Sequence, residues 1–264
     1  MKILFLGDIV ASSGRALVKQ VLPAIKEEYN PNLVIANAEN LSHGNGFTPE
    51  HLEEMQQAGI NFFTLGDHTW GNTKGVMKLN DHKVPIIRPA NYPDFNTPGR
   101  GYAIVEDNSM NRILIINLLG RVFMKNDFDC PFRAVDRILR ETAHEYLNGI
   151  FVDFHAEATS EKYALAFYLD GRVSAVLGTH THVATADARI LEGGTAAMSD
   201  AGMNGSLDSV IGVRKDIIIN GFLSQRPAKH DPETSGRMIF NSVLIELDIK
   251  TKKALNIQHI QKII

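Results

Sequence analysis

Gly178-Thr179-His180-Thr181-His182-Val183 is the stretch from which the rest of the chain is read. Two histidines stand two residues apart, glycine precedes the first, and only hydroxyl side chains intervene. Val173–Leu177 leads into the pair as a short apolar strand. Alternate side chains of an extended strand share a face, so His180 and His182 are expected to project together into one cleft at the strand's end. Imidazole ligates zinc, iron, nickel and copper and is met at manganese sites. Alone, an H-x-H pair is a weak signal, because most such pairs are surface or structural histidines. It gains weight only if carboxylates and further histidines sit at other strand ends.

Composition sets the frame for that question. The chain has 264 residues, is 44% hydrophobic and 22% charged, and carries a net charge of −3. These values suit a globular α/β protein with a sizeable core, and they exclude a basic surface for nonspecific nucleic-acid binding. One cysteine, Cys130, excludes an internal disulfide and is read as a packed residue rather than a nucleophile. The apolar run Ile3-Leu4-Phe5-Leu6 is too short for a signal peptide, and no stretch approaches a membrane span. The expectation is a soluble cytoplasmic protein of one domain, residues 1–264, with homo-oligomerisation left open.

Along the chain, apolar strands end repeatedly in small or polar turns. Ile3–Leu6 ends in Gly7-Asp8, where open α/β sheets gather their ligand sites. Ala11-Ser12-Ser13-Gly14 reads as a small-residue loop, a candidate phosphate cradle that matches neither a P-loop nor a dinucleotide fingerprint. A helix with Pro23 inside it follows from Arg15 to Tyr29. Leu33–Ala36 is a second strand, running into Asn37-Ala38-Glu39-Asn40 and a glycine-rich turn. Thr48-Pro49-Glu50 reads as a helix N-cap with proline in the first turn. Asn61–Leu65 is a third strand, ending in Gly66-Asp67-His68-Thr69-Trp70. A Pro/Gly-rich loop runs to Gly101, and Tyr102–Val105 and Arg112–Asn117 read as a hairpin. Pro131 to Leu147 is expected as a helix, Gly149–Phe154 as a buried strand ending in His155, and the next helix as reaching about Leu169. Ala188–Leu191 and Thr195–Met198 are short strands, and Met238–Asp248 with Leu255–Ile264 forms a closing hairpin. The pattern predicts stacked sheets covered by helices.

The strand ends therefore collect Asp8, Glu39, Asn40, Asp67, His68, His155, His180 and His182. Each alone has an ordinary reading, as a helix cap, a turn residue or a satisfied core histidine. Together they form a set of carboxylates and imidazoles that suits first-row divalent metals. The set exceeds what one metal with an open position needs, so two metals are implied.

Here the motifs reach a known family. Gly7-Asp8, Gly66-Asp67-His68, the lone His155 and Gly178–His182 resemble the calcineurin-like metallophosphoesterases. The usual D-x-H and later G-D forms of that superfamily are missing. Asn37–Asn40, the run Asp153 to Lys162 and Gly178–Val183 resemble instead its YmdB-like bacterial branch, across essentially the whole chain. The resemblance implies a four-layer sandwich, with helices outside two mixed sheets and a dinuclear centre between strand ends. It implies one metal on Asp8, Glu39, Asn40 and His182, and another on Glu39, Asp67, His155 and His180, with Glu39 bridging. Most relatives carry Asn in place of Asp67, a departure that bears on metal preference and activity. The ions expected are iron or manganese, with zinc as an alternative. The branch is associated with hydrolysis of cyclic nucleotides, 2′,3′-cyclic and in some cases 3′,5′-cyclic, through a metal-bridging hydroxide.

Two metals can clamp a phosphoryl group and acidify water between them. His68 adjoins a ligand without being needed as one and is placed to protonate a leaving alkoxide. Thr179, Thr181, Glu157 and Ser160 are expected to orient the imidazoles. A phosphomonoesterase or nucleotidase on the same centre, and a nucleotide-binding regulatory protein with weak turnover, stay open as alternatives. Substrate-binding residues are not identified from the sequence.

Overall fold

Alternation along the first strand decides how the layers stack. In β1 (Lys2–Leu6), Ile3 and Phe5 face one way and Leu4 and Leu6 the other. All four are buried, so β1 needs a covering layer on each side. The computed structural model describes residues 1–93 and 96–264; residues 94 and 95, inside the Pro/Gly-rich loop, lie outside it.

The Leu4/Leu6 face packs against α1 (Ala11–Tyr29), through Leu17, Val18, Val21 and Leu22. This helix begins at Ala11, so the expected small-residue loop at 11–14 is its first turn. The Gly14 amide donates to the Val10 carbonyl at 2.9 Å, and a Cβ on Gly14 would lie 2.3 Å from the Asn204 carbonyl oxygen. Small residues here reflect close packing rather than a phosphate cradle.

The chain then adds β2 (Leu33–Asn37), α2 (Pro49–Gln57), β3 (Phe62–Thr64) and a single helical turn, α3 (Thr73–Val76). Thr48 caps α2 by accepting from the His51 amide, as expected. β4 (Tyr102–Glu106) and β5 (Arg112–Leu119) form the expected antiparallel hairpin. α4 covers only Pro131–Glu141, short of Leu147, because the Thr142 hydroxyl bonds back to the Ile138 carbonyl at 2.8 Å and the chain leaves helical geometry there. Cys130 is a half-buried residue at its N-terminus. β6 (Gly149–His155), α5 (Thr159–Tyr168), β7 (Ala175–Thr179), β8 (Arg189–Ile190) and β9 (Ala196–Met198) follow. β10 (Gly205–Ser206), α6 (Lys215–Ser224), β11 (Met238–Leu247) and β12 (Ala254–Ile263) complete the order.

Two mixed sheets result. In the first, β1, β2 and β3 run parallel and β11 joins β1 antiparallel, with β10 and β12 on β11. In the second the order is β4-β5-β6-β7-β9-β8, parallel from β5 through β9. Ile3, Phe5, Leu33 and Ile35 meet Ile113, Ile115, Phe151 and Leu177 between the sheets. The Phe5 and Phe151 rings sit 5.0 Å apart at that seam. Leu114, Ile116, Val152 and Phe154 face outward onto Val135 and Ile138 of α4 and Leu165 of α5. The molecule is thus the expected α/β/β/α sandwich. Among the described residues no helix is long and apolar enough to cross a membrane.

Candidate metal centre

The parallel strands of both sheets deliver their C-terminal ends to one place. From the first sheet come Asp8, just past β1, Glu39 and Asn40, just past β2, and Asp67, just past β3. Asp8, Glu39 and Asn40 are almost wholly inaccessible, at 0–1% exposure. Local bonds hold them. The Asn204 amide donates to the Asp8 carbonyl at 2.7 Å, the Asn37 side-chain oxygen accepts from the Glu39 amide at 3.1 Å, and the His68 amide donates to Glu39 Oε2 at 2.9 Å. Gly66 lets the backbone pass close by: a Cβ there would lie 2.2 Å from Glu39 Oε2 and 2.4 Å from His155 Nε2.

The second sheet supplies His155, the last residue of β6, and the pair beyond β7. Strand alternation does not orient that pair. β7 ends at Thr179, and His180 and His182 take positive φ of 98° and 64°. Two devices hold this left-handed turn. Asp200 Oδ2 accepts from the Thr181 amide at 3.0 Å, the Thr181 hydroxyl at 2.7 Å and the buried Lys162 ammonium at 2.8 Å. Gly178 packs on the Ser199 carbonyl, whose oxygen a Cβ would meet at 1.8 Å. Thr181 thus anchors the turn, with its amide and its hydroxyl both bonded to Asp200 rather than to an imidazole. Ser160 is exposed on α5, and among the described residues no hydrogen bond joins its side chain to an imidazole.

The side chains meet as two adjoining groups. Glu39, Asp67, His155 and His180 each offer one ligand atom, and these atoms lie within 4.8 Å of one another. Within it, His155 Nε2 is 3.0 Å from Asp67 Oδ1, 3.1 Å from Glu39 Oε1 and 3.0 Å from His180 Nδ1. Two ring nitrogens so close require a proton or a cation between them. On the other side of Glu39, Asn40 Nδ2 lies 3.2 Å from Asp8 Oδ1, 3.3 Å from Glu39 Oε1 and 3.2 Å from His182 Nε2. His68, with a 42% exposed side chain, stands at the rim with Nδ1 2.9 Å from Asn40 Oδ1.

Each histidine is also held from behind. His155 Nδ1 contacts Thr179 Oγ1 at 2.9 Å, His180 Nε2 contacts Glu157 Oε2 at 3.1 Å, and His182 Nδ1 contacts the Ile211 carbonyl at 2.9 Å. A ring pinned on one nitrogen turns the other towards the cluster, as metal-ligating histidines do. Thr179 and Glu157 therefore orient imidazoles as expected.

Charge supports the same reading. Burial works against the imidazolium form of His155, but Glu39 and Asp67 raise its pKa well above 6.5. His182 is raised to about 9 against burial, by Asp8. Burial likewise opposes ionisation of Asp8 and Asp67, yet His182 holds Asp8, and His155 with His180 hold Asp67, well below the usual carboxylate range. Protons on imidazoles thus balance an anionic pocket that divalent cations would neutralise, and the donor set fits such cations.

All eight expected residues converge. The sequence reading gave no role to Asp200 and Lys162, which clamp the turn, to the Ile211 carbonyl, to Asn204, or to Asp153 beneath the site. Asp153 had a visible sign: a lone carboxylate inside the apolar strand Gly149–Phe154.

Comparison with known proteins gives consistent matches. The profile described as YmdB-like protein matches residues 4–260. The chain is 43% identical over 260 residues to the Bacillus subtilis (strain 168) protein named 2′,3′-cyclic-nucleotide 2′-phosphodiesterase, spanning 98% of this chain and 96% of that one. It is 36% identical over 268 residues to a Mycoplasma pneumoniae protein named putative phosphatase/phosphodiesterase, covering 99% and 92% of the two chains. Among solved structures, a hypothetical protein from Thermus thermophilus superposes with a TM-score of 0.91 at 38% identity, over 100% of this chain and 99% of the other. A novel phosphatase from Mycoplasma pneumoniae gives 0.92 at 34% identity, over 100% and 93%.

Proposed function

This chain belongs to the YmdB-like family, and we propose that it is a metal-dependent phosphodiesterase that opens 2′,3′-cyclic nucleotides. The observation that carries the reading is the convergence of Glu39, Asp67, His155 and His180 within 4.8 Å, with Asp8, Asn40 and His182 adjoining through Glu39. The name of the Bacillus subtilis relative supplies the substrate class.

In this reading Glu39, Asp67, His155 and His180 would hold one divalent ion, Asp8, Glu39, Asn40 and His182 would hold a second, and iron or manganese suits the mixed ligands. Such ions supply Lewis acidity, which stabilises charge on the phosphoryl group and makes water acidic enough to attack at neutral pH. The protein's own part is positional and protonic. Thr179, Glu157 and the Ile211 carbonyl fix the imidazoles. The Asp200–Lys162 clamp holds the turn that carries two of them. His68, at the open rim beside Asn40, carries the proton that the departing alkoxide takes up. A lone, half-buried cysteine suits a reducing cytoplasm.

Turnover of 2′,3′-cyclic AMP with Mn²⁺ or Fe²⁺ supplied, beside metal-stripped protein and a nucleoside monophosphate, tests the proposal. Metal-dependent release of the monoester is expected. Hydrolysis of the monoester alone would make the protein a phosphomonoesterase, and tight nucleotide binding without turnover would make it regulatory.

A further inference from the structure

Asp153 is fully buried in the middle of β6, and among the described residues no lysine or arginine pairs with it. Its Oδ2 accepts from Asn37 Nδ2 at 3.1 Å and from the Thr64 hydroxyl, both in the first sheet. Its Oδ1 accepts from the Thr179 hydroxyl at 2.7 Å. A buried, unneutralised carboxylate is costly, so it calls for an explanation beyond packing.

The explanation lies in counting protons. A threonine hydroxyl has one proton to donate, and an ionised carboxylate can only accept. Thr179 therefore gives its proton to Asp153 and presents a lone pair to His155 Nδ1, 2.9 Å away. That forces the neutral ring to carry its proton on Nδ1. The lone pair of Nε2 is then free where Glu39 Oε1 and Asp67 Oδ1 lie, at 3.1 and 3.0 Å. We infer that Asp153 is a positioning residue that sets the tautomer of His155 through Thr179. The inference rests on the metal reading above, since only a ligand requires that tautomer.

Asp153→Asn discriminates because its polarity is forced. Asn37 can only donate to position 153, as its own side-chain oxygen already accepts from the Glu39 amide at 3.1 Å. The new amide must then turn its oxygen to Asn37 and Thr64 and its nitrogen to Thr179. Thr179 now accepts from residue 153 and donates to His155 Nδ1, so the ring proton moves to Nε2, where it blocks ligation. The hydrogen bonds are kept in number and a buried charge is removed.

The test is metal affinity of the stripped protein, measured with Mn²⁺ and Zn²⁺ against a competing chelator, alongside thermal unfolding of the same metal-free samples. Asp153→Asn is expected to unfold at the parent's temperature or above, while affinity falls about 10–100-fold, the usual effect of losing a ligand's orienting partner. Thr179→Val should lose affinity comparably and Thr179→Ser should retain it, and this pair decides the matter if Asp153→Asn does not fold. Histidine ¹⁵N shifts of the zinc-loaded parent should report Nδ1–H at His155. Parental affinity in Asp153→Asn or in Thr179→Val overturns the inference, as does an Nε2-protonated His155 in the loaded parent. A parent that binds neither ion overturns the metal reading instead.

Discussion

The two halves of the site differ in how completely the protein has prepared them. Around Asp67, His155 and His180, every donor already points at a shared centre, and each ring is pinned from behind. Around Asp8, Asn40 and His182 the same chemistry is present but one group is turned. The Asn40 nitrogen faces Asp8, Glu39 and His182, and its oxygen faces His68. An amide binds a cation only through oxygen, so ligation by Asn40 exchanges the places of its two atoms. The exchange also reverses the bond to His68: Nδ1 then accepts, and the neutral ring keeps its proton on Nε2. In the proposed reading the difference teaches that one half would meet a cation with its donors already in place, while the other would couple cation binding to the protonation pattern of the candidate acid.

The comparison breaks most severely at the residue common to both halves. Glu39→Gln is expected to lose metal from each half and to lower kcat/KM by about 10⁴-fold or more, as removal of Lewis-acid stabilisation worth several kcal/mol implies. Elemental analysis with steady-state kinetics checks this; two retained ions and full turnover would show that Glu39 is not shared. His68→Ala comes next. It should keep the metals and lose about 10²–10⁴-fold in rate on a cyclic nucleotide, the usual size of a general-acid contribution. On a nitrophenyl ester, whose leaving group needs no proton, the loss should shrink. Equal losses on both substrates would make His68 a phosphate-positioning group.

A pH titration tests the second half through His182, while His155, raised well above 6.5, gives the first half a pH dependence of the same sign. His182 is raised to about 9 in the metal-free protein, so at neutral pH its ring carries a proton that a cation must displace. Affinity in that half should rise up to about tenfold per pH unit and level off near pH 9. The folding contribution runs the opposite way: the His182 imidazolium stabilises the metal-free fold fully below about pH 6.5, and this is lost as pH rises through about 9. Chelator competition and thermal unfolding across pH 6–9 should therefore move in opposite directions. A flat affinity profile would place His182 outside the cation's reach.

The smallest effect is expected at Asp67, the carboxylate just past β3. A unit charge about 4 Å away is worth about 4 kcal/mol at an effective dielectric near 20, before desolvation reduces it. Asp67→Asn should therefore weaken metal binding in its own half. It should also raise turnover several-fold once metal saturates, because an anionic phosphodiester meets less negative charge. Slower turnover at saturating Mn²⁺ would mean that the surroundings of Asp67 have already compensated for its charge.

Much of this was legible in the chain because strands end where apolar alternation stops. β1, β2, β3 and β6 announce themselves by runs of buried residues, and the polar residue after each run is a candidate donor. The geometry of His180 and His182 was not legible, since alternation assumes extended backbone and both residues adopt positive φ. Nothing in the pattern of Thr181 says that Asp200, nineteen residues on, anchors it. Residues 199–237 carry no clear periodicity, so β10, α6, Asn204 and the Ile211 carbonyl emerge only in three dimensions. Asp153 was visible as an anomaly, but its direction of action depends on which proton Thr179 gives away.

Gly66 and Gly178 give the site a further property, seen in which mutations it survives. Neither offers a functional group, yet the main chain at each runs where a single methyl would collide, with Glu39 and His155 in one case and with the Ser199 carbonyl in the other. Those neighbours are buried side chains and backbone, so they have little room to move aside. In a saturation library selected for activity, positions 66 and 178 should therefore be depleted as thoroughly as the ligands themselves. Alanine, the mildest replacement elsewhere in the chain, should be no safer at either position than a bulky side chain.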